Sequence, residues 1–138
     1  MTRSIALLLL TAALAGATAC NAFREDPENR ARGFVETFVL EPSNDAKLSE
    51  LANVTGDPRT LADGLGPAMT ADYLRARRDQ GATLKFSITR VERPDALHRA
   101  VAIRIRAASD GHADEEIVFH VELARRDGAW HIEHLRGG

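Results

Sequence analysis

The sequence holds a single cysteine, one tryptophan and one tyrosine among 138 residues. A lone thiol excludes any disulfide within the chain, so no covalent cross-link supports its fold. The formal net charge is only −2, and no basic block or aromatic-interleaved basic stripe occurs, which argues against nucleic acid as a partner. Internal repeats, low-complexity tracts and an inter-domain linker are also missing. What remains has the size of one domain.

What is present begins at the N-terminus. Arg3 precedes "IALLLLTAALAGATA", an uncharged run of apolar and small residues with the pattern of a secretory signal. The run is shorter than the ~20 residues that a bilayer core requires, and "NAFREDPENRAR" follows it with charges of both signs. Ala17, Thr18 and Ala19 then stand directly before Cys20. This stretch resembles the lipobox of bacterial lipoproteins, in which the thiol is joined to a diacylglycerol and the chain is cut just before it. The resemblance implies a lipid at Cys20, and Asn21 after it implies the outer membrane of the cell envelope, with the domain facing the periplasm.

Ala17 occupies a place where the lipobox usually has leucine, and the same small residues suit an ordinary signal peptidase, which would leave a secreted chain with a free thiol. The lone cysteine favours the lipid. An unpaired thiol invites intermolecular pairing in an oxidising compartment, whereas a thioether removes that hazard. Two or three acyl chains, at about 0.8 kcal/mol per buried methylene, anchor stably where a single chain does not. The chain thus divides into a signal peptide (1–19), a lipidated cysteine with a short tether (20–25) and one domain (26–138). Removing the signal takes away one arginine and no acid, so the mature chain is slightly more acidic.

The domain reads as α+β, helices first and strands afterwards. Asp26 and Pro27 open a helix whose Ala31, Phe34, Val35 and Phe38 share one face, and Pro42 stops it. "SNDAKLSELANV" and "DPRTLADGL" predict two short helices, and "TADYLRARRDQ" a further one capped by Thr70. After Gly81 the period becomes two. Leu84, Phe86 and Ile88 alternate with polar residues, as do Val101, Ile103 and Ile105, then Phe119, Val121 and Leu123. Asp127-Gly128 predicts a type I′ hairpin into a fourth strand, "AWHIEHL".

That turn predicts a register. Arg125 should lie opposite Trp130, Leu123 opposite Ile132 and Val121 opposite His134, while the other face pairs His120 with Leu135, Ala124 with His131 and Glu122 with Glu133. Extending the ladder places Ile103 beside Phe119 and Phe86. The helices are expected to cover the apolar face of this antiparallel sheet.

The element order, with Val121, Leu123, Asp127, Gly128, Trp130 and Ile132 in the closing hairpin, resembles the nuclear transport factor 2-like superfamily and its small bacterial lipoproteins of unknown function. The resemblance implies a curved sheet around helices, a cone, with the cystatin-like fold as the nearest alternative. Enzymes such as ketosteroid isomerases and dehydratases share the fold with non-catalytic binding and assembly modules, so the fold cannot choose the function.

Few residues compete for a site. Tyr73, His134 and Trp130 are the possible pocket residues: His134 because the predicted register puts it on the apolar face, Trp130 because it stands near the turn, where hairpin packing and a cation–π contact with Arg125 compete with a ligand role. His120, Glu122, His131 and Glu133 form a weak metal candidate on the outer face. Two carboxylates directly opposite would repel, but Arg104 and Arg106 on the neighbouring strand can offset that charge. "HIEH" is no zinc motif on a strand, since His131 and His134 would project to opposite faces. "YLRARRDQ" reads as a solvated helix face, its arginines diluted by Asp72 and Asp79. The expectation is a non-enzymatic binding or assembly module without cofactor or metal, held to the membrane by its lipid and meeting a homodimer mate or an envelope protein through its sheet. The alternative is a pocket for a small apolar ligand, or an isomerase- or dehydratase-like one.

Overall fold

The computed structural model describes residues 26–137. The signal, Cys20 and the tether therefore lie outside the described residues. The Asp26 carboxylate accepts from the Glu28 N–H at 3.0 Å and from the Asn29 side chain at 2.9 Å, and Pro27 fills a first-turn position that needs no N–H. Helix α1 (Pro27–Leu40) follows and buries Ala31, Phe34, Val35 and Phe38. Helix α2 (Asp45–Ala52) starts behind Asn44 and stops where Asn53 turns left-handed, with φ 56°. Of the next expected helix only one 3₁₀ turn forms, Pro58–Leu61 behind Asp57.

Helix α3 (Gly66–Asp79) begins a turn earlier than its sequence suggests. Pro67 sets the φ of the first turn, Leu65 occupies the N-cap without a side-chain hydrogen bond, and Thr70 lies inside the helix instead of capping it.

Strands β1 (Thr83–Asp95), β2 (His98–Ala108), β3 (Glu115–Arg126) and β4 (Ala129–Gly137) pair antiparallel in chain order. Asp127 and Gly128 both take positive φ, 52° and 76°, as a type I′ turn requires. Beside that turn the register is the expected one: Arg125 with Trp130, Ala124 with His131, Leu123 with Ile132. It then shifts by one residue. Glu122 faces His134, Val121 faces Leu135 and His120 faces Arg136, which leaves Glu133 as the extra residue of a β-bulge.

The shift corrects the position of His134, which is exposed on the outer face while Leu135 takes the buried place opposite Val121. A straight ladder would bury an imidazole and expose a leucine. Burying Leu135 instead contributes about 1.5–3 kcal/mol and leaves His134 in water.

A second irregularity falls at Thr89. Ile103 lies between Phe119 and Ile88 instead of Phe86, which faces Ile105, and Val91 joins the ladder opposite Val101. Bulges lie in β1 and β4, the two edge strands, where an extra residue adds local bend and twist to the sheet. The result is the expected α+β architecture, three helices packed on one face of a curved four-stranded sheet.

Inside the curve, Val101, Ile103, Ile105, Phe119, Val121, Leu123, Ile132 and Leu135 form one continuous cluster with Phe34, Val35, Leu48 and Leu74 of the helices. Ala62 bridges to Leu135, and the Asp63 N–H donates to the Leu135 carbonyl at 2.8 Å, so the segment before α3 covers part of the free edge of β4. Among the described residues no helix is long and apolar enough to cross a membrane.

Candidate functional site

The residues singled out by sequence do not gather into one place. Tyr73 lies on the outer side of α3, 44% exposed, and its hydroxyl donates to Glu115 at 2.7 Å. Arg77 binds the same carboxylate and donates to the Ser109 hydroxyl at 3.1 Å, which fastens the C-terminal half of α3 to the β2–β3 connection. Trp130 is buried in the core cluster. Its cation–π partner is Arg99, with the guanidinium carbon 4.8 Å from the ring centroid, rather than the exposed Arg125 opposite it.

The four metal candidates are likewise separated. Glu133 is displaced into the bulge and no longer faces Glu122, which pairs with Arg136 at 3.3 Å. His131 directs Nδ1 to the Asn53 carbonyl at 2.7 Å, and His120 stands opposite Arg136 and Ala102. Among the described residues no three His, Cys, Asp or Glu side chains converge as metal ligands would.

A different surface comes together on the helical side. A cleft of about 310 Å³ opens between the C-terminal end of α1, the 3₁₀ turn and α3, lined by Phe38, Ala62, Leu65, Ala68 and Ala71. Its rim is charged. Arg75 donates to the Val39 carbonyl at 2.9 Å and pairs with Asp72, and Arg59 pairs with Asp57 at 3.1 Å. Beside the cleft runs a ridge: Leu65 is 78% exposed, Met69 67%, and Tyr73 follows at the same four-residue spacing.

Sequence reasoning missed Leu65 and Met69. Their spacing with Tyr73 was the available signal, but a buried helical stripe has the same spacing. Only the packing of Pro67, Ala71 and Leu74 against the core shows which side faces out.

Asp72, the carboxylate nearest the cleft, leaves 71% of its side chain in water beside Arg75. The carboxyl groups of Asp26, Glu41, Asp57 and Asp95 are held below their ordinary values, chiefly by hydrogen bonds with Glu28, Lys47, the Arg59 N–H and His98 respectively. Such shifts carry a carboxyl away from the near-neutral range that a general base requires.

No protein-family model matches the chain, and no curated protein does. Among solved structures it is similar to a chain named Rd1NTF2_05 bearing five substitutions, at 17% identity and TM-score 0.43 over 82% of this chain and 100% of that one. It is also similar to an NTF-2 like protein of unknown function from Shewanella oneidensis MR-1, at 18% identity and TM-score 0.42 over 79% of this chain and 93% of that one. At these scores the architecture rests on the chain's own strand order and helix packing.

Proposed function

We propose that this chain is a lipid-anchored, non-enzymatic binding module of the bacterial cell envelope, tethered through Cys20 and meeting its partner through the α3 ridge and the adjoining cleft. The observation that carries the reading is the exposure of Leu65, Met69 and Tyr73 along one side of a helix whose other side is already packed. A contiguous exposed apolar surface with a charged rim is characteristic of a protein contact. The nuclear transport factor 2-like resemblance is compatible with such a role, and the small residues before Cys20 support the anchor and, with Asn21, an outer-membrane address facing the periplasm.

The outer face of the sheet offers less to a partner or a second copy. Most of its charges are compensated within the chain, Arg104 with Glu116 at 4.0 Å, Arg106 with Asp114 at 2.6 Å and Arg136 with Glu122 at 3.3 Å. A second reading, uptake of a small apolar ligand, is favoured by the cleft itself, since ~300 Å³ is the lower end of ligand-site volumes.

A photoreactive residue placed at Met69 in cells tests the contact, with Lys85 on the sheet as control. The expected result is a discrete adduct at position 69 that Leu65→Ser removes. An adduct at position 85 alone would return the sheet as the docking face. A small molecule retained by the purified chain, without any adduct, would favour the ligand reading. Intact mass of the membrane fraction, with Cys20→Ala alongside, tests the anchor independently.

A further inference from the structure

The two hairpin turns and the start of α1 stand side by side. Arg93, near the end of β1, pairs with Glu28 in the first turn of α1 at 3.1 Å. The Arg125 N–H donates to the Leu97 carbonyl at 2.8 Å, which joins the β1–β2 turn to the β3–β4 hairpin. The chain therefore enters the domain, at Asp26, on the same end that carries both turns.

That end has a distinct surface. Leu97 is 54% exposed at the tip of the β1–β2 turn, with Pro94 and Ala96 exposed beside it. The turn holds itself in shape: Asp95 accepts from the Leu97 N–H at 2.7 Å and meets the His98 ring at 2.8 Å, which occupies its carboxylate within the turn. Arg125 and Arg126 project from the neighbouring hairpin, both exposed and without an ion pair among the described residues, and they outnumber the one acid of that turn, the exposed Asp127. An apolar tip flanked by two arginines against one acid complements an anionic lipid surface.

Chain length makes the same choice. An extended chain spans at most about 3.3–3.6 Å per residue, so the stretch from Cys20 to Asp26 reaches roughly 20 Å. Phe38 at the α3 cleft lies about 18 Å from Asp26 along α1, so the α3 side meets the bilayer only with the tether stretched fully back along the domain, whereas the near end meets it at any extension. We infer that the Leu97 turn, Arg125 and Arg126 form a membrane-docking end that rests on anionic phospholipid and holds the α3 ridge away from it. The inference rests on the lipid anchor proposed above.

The test uses the full acylated chain reconstituted in vesicles of phosphatidylcholine alone or with phosphatidylglycerol. A bimane probe is attached at Leu97→Cys or, as control, at Met69→Cys, and quenching by spin-labelled lipid is read. Quenching is expected at position 97 and not at 69, stronger with phosphatidylglycerol, and reduced about threefold or more by Arg125→Glu with Arg126→Glu. Circular dichroism of each variant checks that the fold is kept. If mass spectra show acylated Cys20 yet the probe at 97 stays unquenched or is quenched no more than the one at 69, the docking end is wrong and the anchor stands. Quenching that ignores both phosphatidylglycerol and the arginine changes would overturn the anionic-lipid contact. A chain without acyl groups would overturn the anchor, and this inference with it.

Discussion

The two sides of α3 differ in an unexpected direction. Its core side offers Pro67, Ala71 and Leu74, two of them small, whereas its solvent side offers Leu65, Met69 and Tyr73. An ordinary amphipathic helix buries its larger apolar groups. Here burial of the core side fixes the helix in place, and the larger groups outside contribute little to folding because water still reaches them. The difference separates residues that hold the shape from residues available for recognition.

Leu74→Ala gives the largest expected effect, since the leucine is fully buried in the common cluster. A loss of about 2–5 kcal/mol in urea unfolding is expected. A loss below about 1 kcal/mol would mean that α3 is held by its outer contacts with Glu115, and the contrast between its two sides would collapse.

The entry of the helices sharpens the comparison. Asp26 caps α1 with its carboxylate, while Leu65 at the start of α3 makes no such bond. Asp26→Ala should therefore cost about 1 kcal/mol, and Leu65→Ala almost nothing. The Asp26 effect should depend on pH with a defined sign. Hydrogen bonding to Glu28 first, and to the Asn29 N–H, lowers its folded pKa below the ordinary 3.8. The stabilisation is therefore present above pH 3.8 and is lost as pH falls through the lower folded value. Unfolding curves of the wild type and Asp26→Ala should converge below that point, and a gap that widens in acid would contradict the assignment.

Element types other than the 3₁₀ turn at Pro58–Leu61, expected as a helix, were legible in the sequence because each rests on local signals: Asp26-Pro27 for a helix start, alternation at Ile103, Ile105, Phe119 and Val121, and Asp127-Gly128 for the turn. The register was legible only as far as Leu123 and Ile132. Beyond them Glu133 leaves the ladder, and an extra residue shows itself only through the partner strand and the core that selects Leu135 over His134. The binding surface was less legible still. Leu65, Met69 and Tyr73 carry a helical spacing that does not say which side water occupies, and the cleft depends on a 3₁₀ turn and α1, distant in sequence.

Deleting Glu133 probes whether the bulge is needed for the core or only for curvature. With it gone, Ile132, His134 and Leu135 would face Leu123, Glu122 and Val121 in an unbroken ladder, the facings they have now. The core should therefore survive, with stability changed by about 1 kcal/mol, the range of strand substitutions. A molten spectrum, with near-ultraviolet dichroism of Trp130 lost, would show instead that the local bend is essential to packing.

The smallest effect on stability is expected where the effect on binding is largest. Replacing Leu65 and Met69 together by serine removes two side chains that are 78% and 67% exposed. Exposed substitutions of this kind usually stay within about 0.5 kcal/mol, so the unfolding midpoint should hardly move. The adduct formed through a photoreactive residue at Tyr73 should nevertheless disappear, because the partner loses its apolar contact. If the double variant unfolded as readily as Leu74→Ala, the ridge would belong to the fold. If it kept both stability and adduct, the partner would be held by the charged rim at Arg59 and Arg75, and the apolar groups beside it would be incidental to recognition.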